Sequence, residues 1–328
     1  MTTMPEQSTV PESAVAPFRL RPSFSKRPWG RQDLRPWYDQ SDLPEAIGEA
    51  WLTGPESVIE TGPLTGMTLA EAVRQNQRAI LGTESKTGQH PEFPLLVKLL
   101  FPNDKLSVQV HPNDEQAQAL GMPRGKTECW YVLDAGPGAE VALGLKPGVA
   151  RADVEASVAN HTMEQLLQMV PVSTGEMVFV DAGTVHAIGP GVTLLETQQT
   201  SDITYRMYDY GRPRELHLRQ GLDVMRTDTR AGKVTPVARD GSTRLIEEQY
   251  FTVDRYDLAP ETPAELPGWS VGCVVALEGE GVVTANEGRD SVSVAVGQAV
   301  LLPMGCAVTV QPGANGLSFA HCFATAVE

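Results

Sequence analysis

The sequence lacks any apolar run near the ~18 residues a membrane-spanning helix needs, so no membrane role is expected. Cysteine is sparse. Cys129, Cys273, Cys306 and Cys322 are scattered, and no two have C-x-x-C spacing. That excludes an evident disulfide framework and suits a cytoplasmic chain. Cys129 is expected to be a core bystander. Positive charge is also short: 26 Lys and Arg against 41 Asp and Glu leave a formal net charge of −15. Phosphate-driven nucleic-acid binding needs a basic surface and is therefore disfavoured. The same charge repels an anionic small substrate at long range, so a phosphate site must come from a few locally placed Lys and Arg side chains. The first residues, MTTMPEQSTVPESAVAP, have neither the charged start nor the apolar stretch of a signal peptide. They read as a disordered leader over residues 1–17.

What is abundant is punctuation. Thirty Gly and 25 Pro break the 328 residues into short runs, as many short strands joined by turns require. Strands are expected at Leu95–Leu100, Leu106–His111, Glu128–Leu133, Val141–Leu145, Glu176–Val180 and Val192–Thr197. This spacing fits an all-β sandwich or jelly roll better than alternating βα units. Short helices decorate it: a capping box at Thr68–Glu71 opens one that runs to about Leu81, another is expected over Asp114–Leu120, and two over residues 151–170. The charged segment Asp223–Ser242 reads as a boundary between a first block, 18–240, and a strand-rich second block, 241–328. The second block's six or seven strands suggest a smaller β-barrel.

The chemistry concentrates in three pieces. In Ser107-Val108-Gln109-Val110-His111-Pro112, strand alternation puts Ser107, Gln109 and His111 on one face. In Lys126-Thr127-Glu128, Lys126 and Glu128 share a face. In Asp181-Ala182-Gly183-Thr184-Val185-His186, a histidine follows a small-residue turn. Two His, one Glu and one Gln on separate strands can converge on one divalent metal, with a position left open for substrate. His90, His161, His217 and His321 lack such partners and are expected to be non-ligands.

On these residues the sequence resembles the type I mannose-6-phosphate isomerases in their short bacterial form. The resemblance spans about residues 18–220. It runs through Arg27-Pro28-Trp29-Gly30, Ile47-Gly48-Glu49-Ala50-Trp51, Pro94-Leu95-Leu96-Val97-Lys98, the Ser107–Pro112 and Gly125–Glu128 elements, and Ser201-Asp202-Ile203-Thr204-Tyr205-Arg206. It implies a mainly β, cupin-type jelly roll (a double-stranded β-helix), one Zn²⁺ per chain on His111, Glu128, His186 and Gln109, and Arg206 as catalytic arginine. It places phosphate contacts at Ser107 and Arg212, the latter standing where longer members have lysine. The second block resembles the family in expected architecture and carries no metal set.

The implied reaction interconverts mannose 6-phosphate and fructose 6-phosphate by moving a proton between C1 and C2 through an enediol. It needs charge stabilisation, a proton carrier and a phosphate anchor. Lys126 is expected near the metal, with a pKa depressed by the metal and a nearby arginine, so that it acts as acid or base or gives electrostatic support. Arg206 keeps its proton and stabilises negative charge. His111, Lys126 and a metal-bound hydroxide all stay open as proton carriers. Lys98 either enters the cavity, as a substrate contact, or leaves the sheet as a surface charge. Trp29, Trp51 and Glu49 either line a sugar site or serve packing. A non-catalytic cupin that binds metal or sugar phosphate is the alternative; it would lack Lys126 or Arg206. A cupin oxygenase fits less well, because Gln109 stands where such sites favour a further histidine.

Overall fold

The computed structural model describes residues 15–83 and 91–325. The expected leader lies outside the described residues up to position 14, and so does His90. The rest is built on three antiparallel sheets. A five-stranded sheet runs Tyr205–Tyr208, Val108–Val110, His186–Ile188, Glu140–Leu145, Leu167–Pro171. A seven-stranded sheet runs Gly232–Val234, Met177–Val180, Glu128–Ala135, Val192–Gln199, Leu95–Leu100, Ile47–Trp51, Ser23–Arg31. A nine-stranded sheet collects the C-terminal strands.

Alternation along the strands builds the layers. In the seven-stranded sheet, Leu100, Trp130, Val132, Val178 and Leu194 meet Val141, Leu143 and Ile188 of the five-stranded sheet. Their neighbours Leu95, Val97, Leu99, Cys129, Tyr131 and Phe179 point the other way, onto Phe251, Val253, Cys273, Val275, Leu301 and Cys322 of the C-terminal sheet. The central strands of the seven-stranded sheet are thus buried on both faces. This explains why Leu95–Leu100 reads as a near-continuous apolar run and is buried at every position. Each such Leu contributes about 1.5–3 kcal/mol on burial. The outer face of the five-stranded sheet is closed by helices Arg151–Ala159 and Leu218–Val224, through Val154 and Leu222.

Thr68 and Glu71 form the expected capping box, at the head of Leu69–Gln75. The second helix expected near residues 162–170 does not form. The Thr162 side chain makes no cap bond, Met163–Leu166 is a single 3-10 turn with Met163 fully buried, and Leu167–Pro171 then pairs with Glu140–Leu145 as an edge strand. Edge pairing and a buried anchor outweigh the weak helical signal there.

The second block is an open sheet, not a closed barrel; its end strands are Phe18–Leu20 and Val237–Arg239. Gly272–Glu278 and Gly281–Ala285, each expected as a strand of its own, form one strand, Gly272–Ala285, and the expected Ala307–Gln311 and Leu317–Phe323 form another, Val308–Ala324. Register shifts at Ala276/Glu278 and Gly279/Gly281 bend them. Their distal residues Val283, Val308 and Val310, joined by Val294 of Asp290–Ala295, then pack on Val274, Ala276 and Phe319. The division at 240 falls in the Arg239–Ser242 hairpin. Phe18–Leu20, from the start of the chain, pairs with Ala299–Leu302 across that division. None of the described helices is long and apolar enough to cross a membrane.

Candidate metal centre and active site

Strand register assembles the site as two facing groups of side chains. On the five-stranded sheet, Arg206 pairs with Gln109 and Gln109 with His186, so the three occupy one cross-strand row. On the seven-stranded sheet, Lys98 pairs with Glu196 and Glu128 with Gln198. His111 follows its strand directly. The turn before His186 needs Gly183, whose φ is +89°. Its amide donates to the His111 carbonyl at 2.9 Å, tying the two histidine segments together.

His111, Glu128 and His186 are all buried, and their candidate ligand atoms lie within 4.8 Å of one another. His186 Nε2 is 3.3 Å and His111 Nε2 3.6 Å from the Glu128 carboxylate. Each Nδ1 faces a carbonyl, Ile203 at 2.7 Å and Thr184 at 2.9 Å. Carbonyls only accept, so Nδ1 carries the proton in both rings and the Nε2 lone pairs face the carboxylate. Burial, with Lys126 nearby, holds His111 well below its usual pKa. Burial also lowers His186. Both rings are therefore neutral, as metal ligation requires. His111 Nε2 is buried without a hydrogen-bond partner. An orphaned imidazole nitrogen, a second imidazole and a carboxylate around one point fit a divalent ion. Gln109 Nε2 lies 3.2 Å from His186 Nε2; rotation of that amide offers an oxygen to the same centre.

Beside the cluster opens a cavity of about 430 Å³, lined in part by Gln109 and Lys126. Six cationic side chains line it (Lys26, Arg27, Lys98, Lys126, Arg206, Arg214) against three carboxylates, Glu49, Glu196 and Asp202. The locally positive site expected of an acidic chain is therefore present. Lys98 points inward: it is buried, 3.4 Å from Glu196, with its ammonium 4.6 Å from the Trp51 ring centroid. Lys126 is buried and 2.9 Å from Glu128. Burial lowers its pKa, but Glu128 and Glu196 overcome this and raise it. The protein's own charges thus oppose the expected depression. Burial in turn resists ionisation of Glu128, while Lys126 holds its pKa low. Glu196 goes the other way: burial raises it despite Lys126 and Lys98.

Ser107 and Arg206 line the cavity. Arg206 donates to the Glu215 carbonyl at 2.8 Å and keeps a buried Nε without a partner. Arg212 does not line it. Its guanidinium is taken up by Asp104 at 2.6 Å, Asp209 at 3.1 Å and the Lys105 carbonyl at 2.7 Å. Arg214 lines it instead, held from behind by two 2.7 Å bonds to buried Asp209. Glu49 is bonded by Arg27 and by the Trp51 indole, while Trp29 packs in the core and lines the cavity as well. His161 and His217 sit against Tyr208 and Tyr205, and His321 is buried beside Phe323. Among the described residues, nothing after Arg214 lines the cavity.

The comparisons with known proteins agree with one another. Residues 17–168 match the phosphomannose isomerase type I catalytic domain. The chain is 33% identical over 301 residues to a mannose-6-phosphate isomerase of Streptococcus mutans, covering 88% of this chain and 92% of that one. It is 34% identical over 287 residues to the mannose-6-phosphate isomerase ManA of Bacillus subtilis, covering 83% and 88%. The crystal structure of a Bacillus subtilis mannose 6-phosphate isomerase matches with a TM-score of 0.81 at 28% identity, over 94% of this chain and 99% of that one. A Salmonella typhimurium phosphomannose isomerase variant, 18% identical with a TM-score of 0.74 over 95% and 100%, shares the fold.

Proposed function

The chain belongs to the type I phosphomannose isomerases, and we propose that it interconverts mannose 6-phosphate and fructose 6-phosphate with one Zn²⁺ on His111, Glu128, His186 and Gln109. The observation that carries this reading is the joining of a buried His–Glu–His cluster to a cavity in which cations outnumber carboxylates. Two neutral imidazoles, a carboxylate and an amide oxygen suit Zn²⁺ and leave room for substrate oxygens. When bound, the ion supplies Lewis-acid polarisation of the oxygens at C1 and C2.

The rest of the reaction falls to side chains of this chain. Arg206, always protonated and with an unpartnered Nε, stabilises the negative charge that develops as the C–H proton leaves. Lys126, held protonated by two carboxylates, adds positive charge at the same place. Glu196 is our candidate proton carrier between C2 and C1: it lines the cavity 3.4 Å from Lys98, and burial raises its pKa, which favours a carboxyl that exchanges a proton. His111 is a weaker candidate, its Nδ1 proton being given to Ile203 and its Nε2 turned to the metal cluster. Ser107, Lys98 and Arg214 anchor the phosphate, and Arg212 supports Arg214 through their shared Asp209. Four unpaired cysteines accord with a cytoplasmic setting.

A coupled assay with mannose 6-phosphate and glucose 6-phosphate tests the reading. Turnover of the first and not the second is expected. No turnover of either, with zinc bound, would favour the non-catalytic sugar-phosphate-binding cupin, a reading that the joint presence of Lys126 and Arg206 at the cavity disfavours.

A further inference from the structure

The segment Gly125–Glu128 presents both Lys126 and Glu128, yet its first three residues lie outside any strand or helix. Something must hold it. The Gly125 amide donates to Asp114 Oδ1 at 2.7 Å, and the Lys126 amide to the Pro112 carbonyl at 3.0 Å. The Thr127 amide donates to Gln199 Oε1 at 2.9 Å, and Gln199 Nε2 returns a bond to Asp114 Oδ1 at 3.0 Å. Asp114 is thus the hub for both ends of the segment. Gly125 is pressed so close that a Cβ there would lie 2.4 Å from the Pro112 carbonyl oxygen. The other oxygen of Asp114 is taken by a residue of the C-terminal block: the Tyr250 hydroxyl donates to Oδ2 at 2.7 Å.

We propose that Tyr250 is a positioning residue for the isomerase site, through which the C-terminal sheet fixes Asp114 and hence the placement of Lys126 and Glu128. This inference rests on the metal and isomerase reading above. A carboxylate with one oxygen shared by two donors can still rotate about its χ2; a third donor on the far oxygen fixes the plane. The tie gives the second block a role in the site without any of its side chains lining the cavity. Asp114 itself is kept ionised by these donors: burial raises its pKa, and the Gly125 amide, Tyr250 and Gln199 lower it further than burial raises it.

The test compares Tyr250→Phe with Tyr38→Phe. Tyr38 also joins the two blocks, through a 2.7 Å bond from its hydroxyl to the Gly297 carbonyl, and its ring packs on Phe24 and Phe101. Zinc release to a chromophoric chelator, kcat, KM and Tm are measured on zinc-loaded protein. Tyr250→Phe is expected to release zinc about tenfold faster and to lose about tenfold in kcat, the lower range for losing an outer-shell partner, with KM unchanged. Tyr38→Phe is expected to lower Tm alone. The Tyr250→Phe/Asp114→Asn double variant should be no worse than Asp114→Asn, because both act through one bond. Wild-type zinc release and kcat in Tyr250→Phe, or equal losses in Tyr38→Phe, overturn the proposal. If the wild type turns over neither sugar phosphate, the isomerase reading fails, and zinc release still decides the positioning role.

Discussion

Replacing Lys126 by Met removes the cation 2.9 Å from Glu128, between side chains 5% and 1% exposed. At an effective dielectric near 20, unit charges at that distance attract by about 6 kcal/mol. Part of this returns, because the lysine no longer has to be dehydrated. Breaking a buried pair from one side leaves a net loss of about 3–5 kcal/mol. Metal-free Lys126→Met should therefore melt roughly 5–10 °C below metal-free wild type. Zinc should close most of the gap, since an ion held by His111, Glu128 and His186 supplies the missing charge. The folded-state pKa of Lys126 is raised, so its contribution is complete below the unfolded value and is lost only as pH rises through the folded one. The gap should therefore hold constant across neutral pH. Melting curves of stripped and zinc-loaded protein measure it. Equal metal-free melting points would mean that Glu128 is not desolvated as drawn. A gap that zinc leaves untouched would remove Glu128 from the metal site.

Arg214→Gln should raise KM for the sugar phosphate about 10- to 100-fold, the worth of one charge-assisted hydrogen bond. Arg212→Gln should change KM far less; an equal rise would return the phosphate contact to Arg212. The His186→Ala/Glu128→Ala double variant should bind no zinc and show no turnover, and full activity in it would sink the metal assignment. The pKa of His321 is pushed down to about 3, first by burial and then by Arg244. The unfolded chain takes up that proton first, so stability is full above the unfolded pKa and falls with pH, by about 2 kcal/mol near pH 5. His321→Gln should lose less stability than wild type between neutral pH and pH 5, by that amount, in urea titrations; parallel losses would refute it. Leu99→Ala, at the interface of the seven-stranded and C-terminal sheets, should cost about 2–5 kcal/mol and lower Tm while the folded enzyme keeps its kcat.

Much of the site was legible because strand alternation is a local property. Ser107 and His111 flank the short strand that carries Gln109, and Lys126 lies two residues before Glu128 at the head of its strand, so local spacing alone keeps each set together; Ser107, Gln109 and Lys126 line the cavity, and His111 and Glu128 join the ligand cluster. Glu196 was not legible. It sits in the run Val192–Gln199, and its place opposite Lys98 depends on a pairing between segments nearly a hundred residues apart. The choice between Arg212 and Arg214 depends on a loop in which buried Asp209 binds both guanidinium groups, and no periodic pattern reports which one faces the cavity. The C-terminal strands were read as too short for a related reason. The break at Gly279-Glu280 reads as a turn between two strands, but here it is a bulge in one continuous strand.

The site also accounts for the layers around it. Lys98, Lys126, Glu128 and Glu196 are all buried on one face of the seven-stranded sheet. Their mutual attraction at best balances the loss of water. The sheet must therefore be stabilised elsewhere, and its opposite face is apolar from Leu95 to Phe179 and covered by the C-terminal sheet. That coverage excludes water from the back of the site and keeps its effective dielectric low, which makes each charge more influential on a developing enediolate. The Tyr250–Asp114 tie lies where the two requirements meet, because it joins the covering sheet to the segment that carries two of the four buried charges. Losing the cover should therefore loosen the metal segment before it exposes the cavity, and the zinc-release rate of Tyr250→Phe reads that order of events.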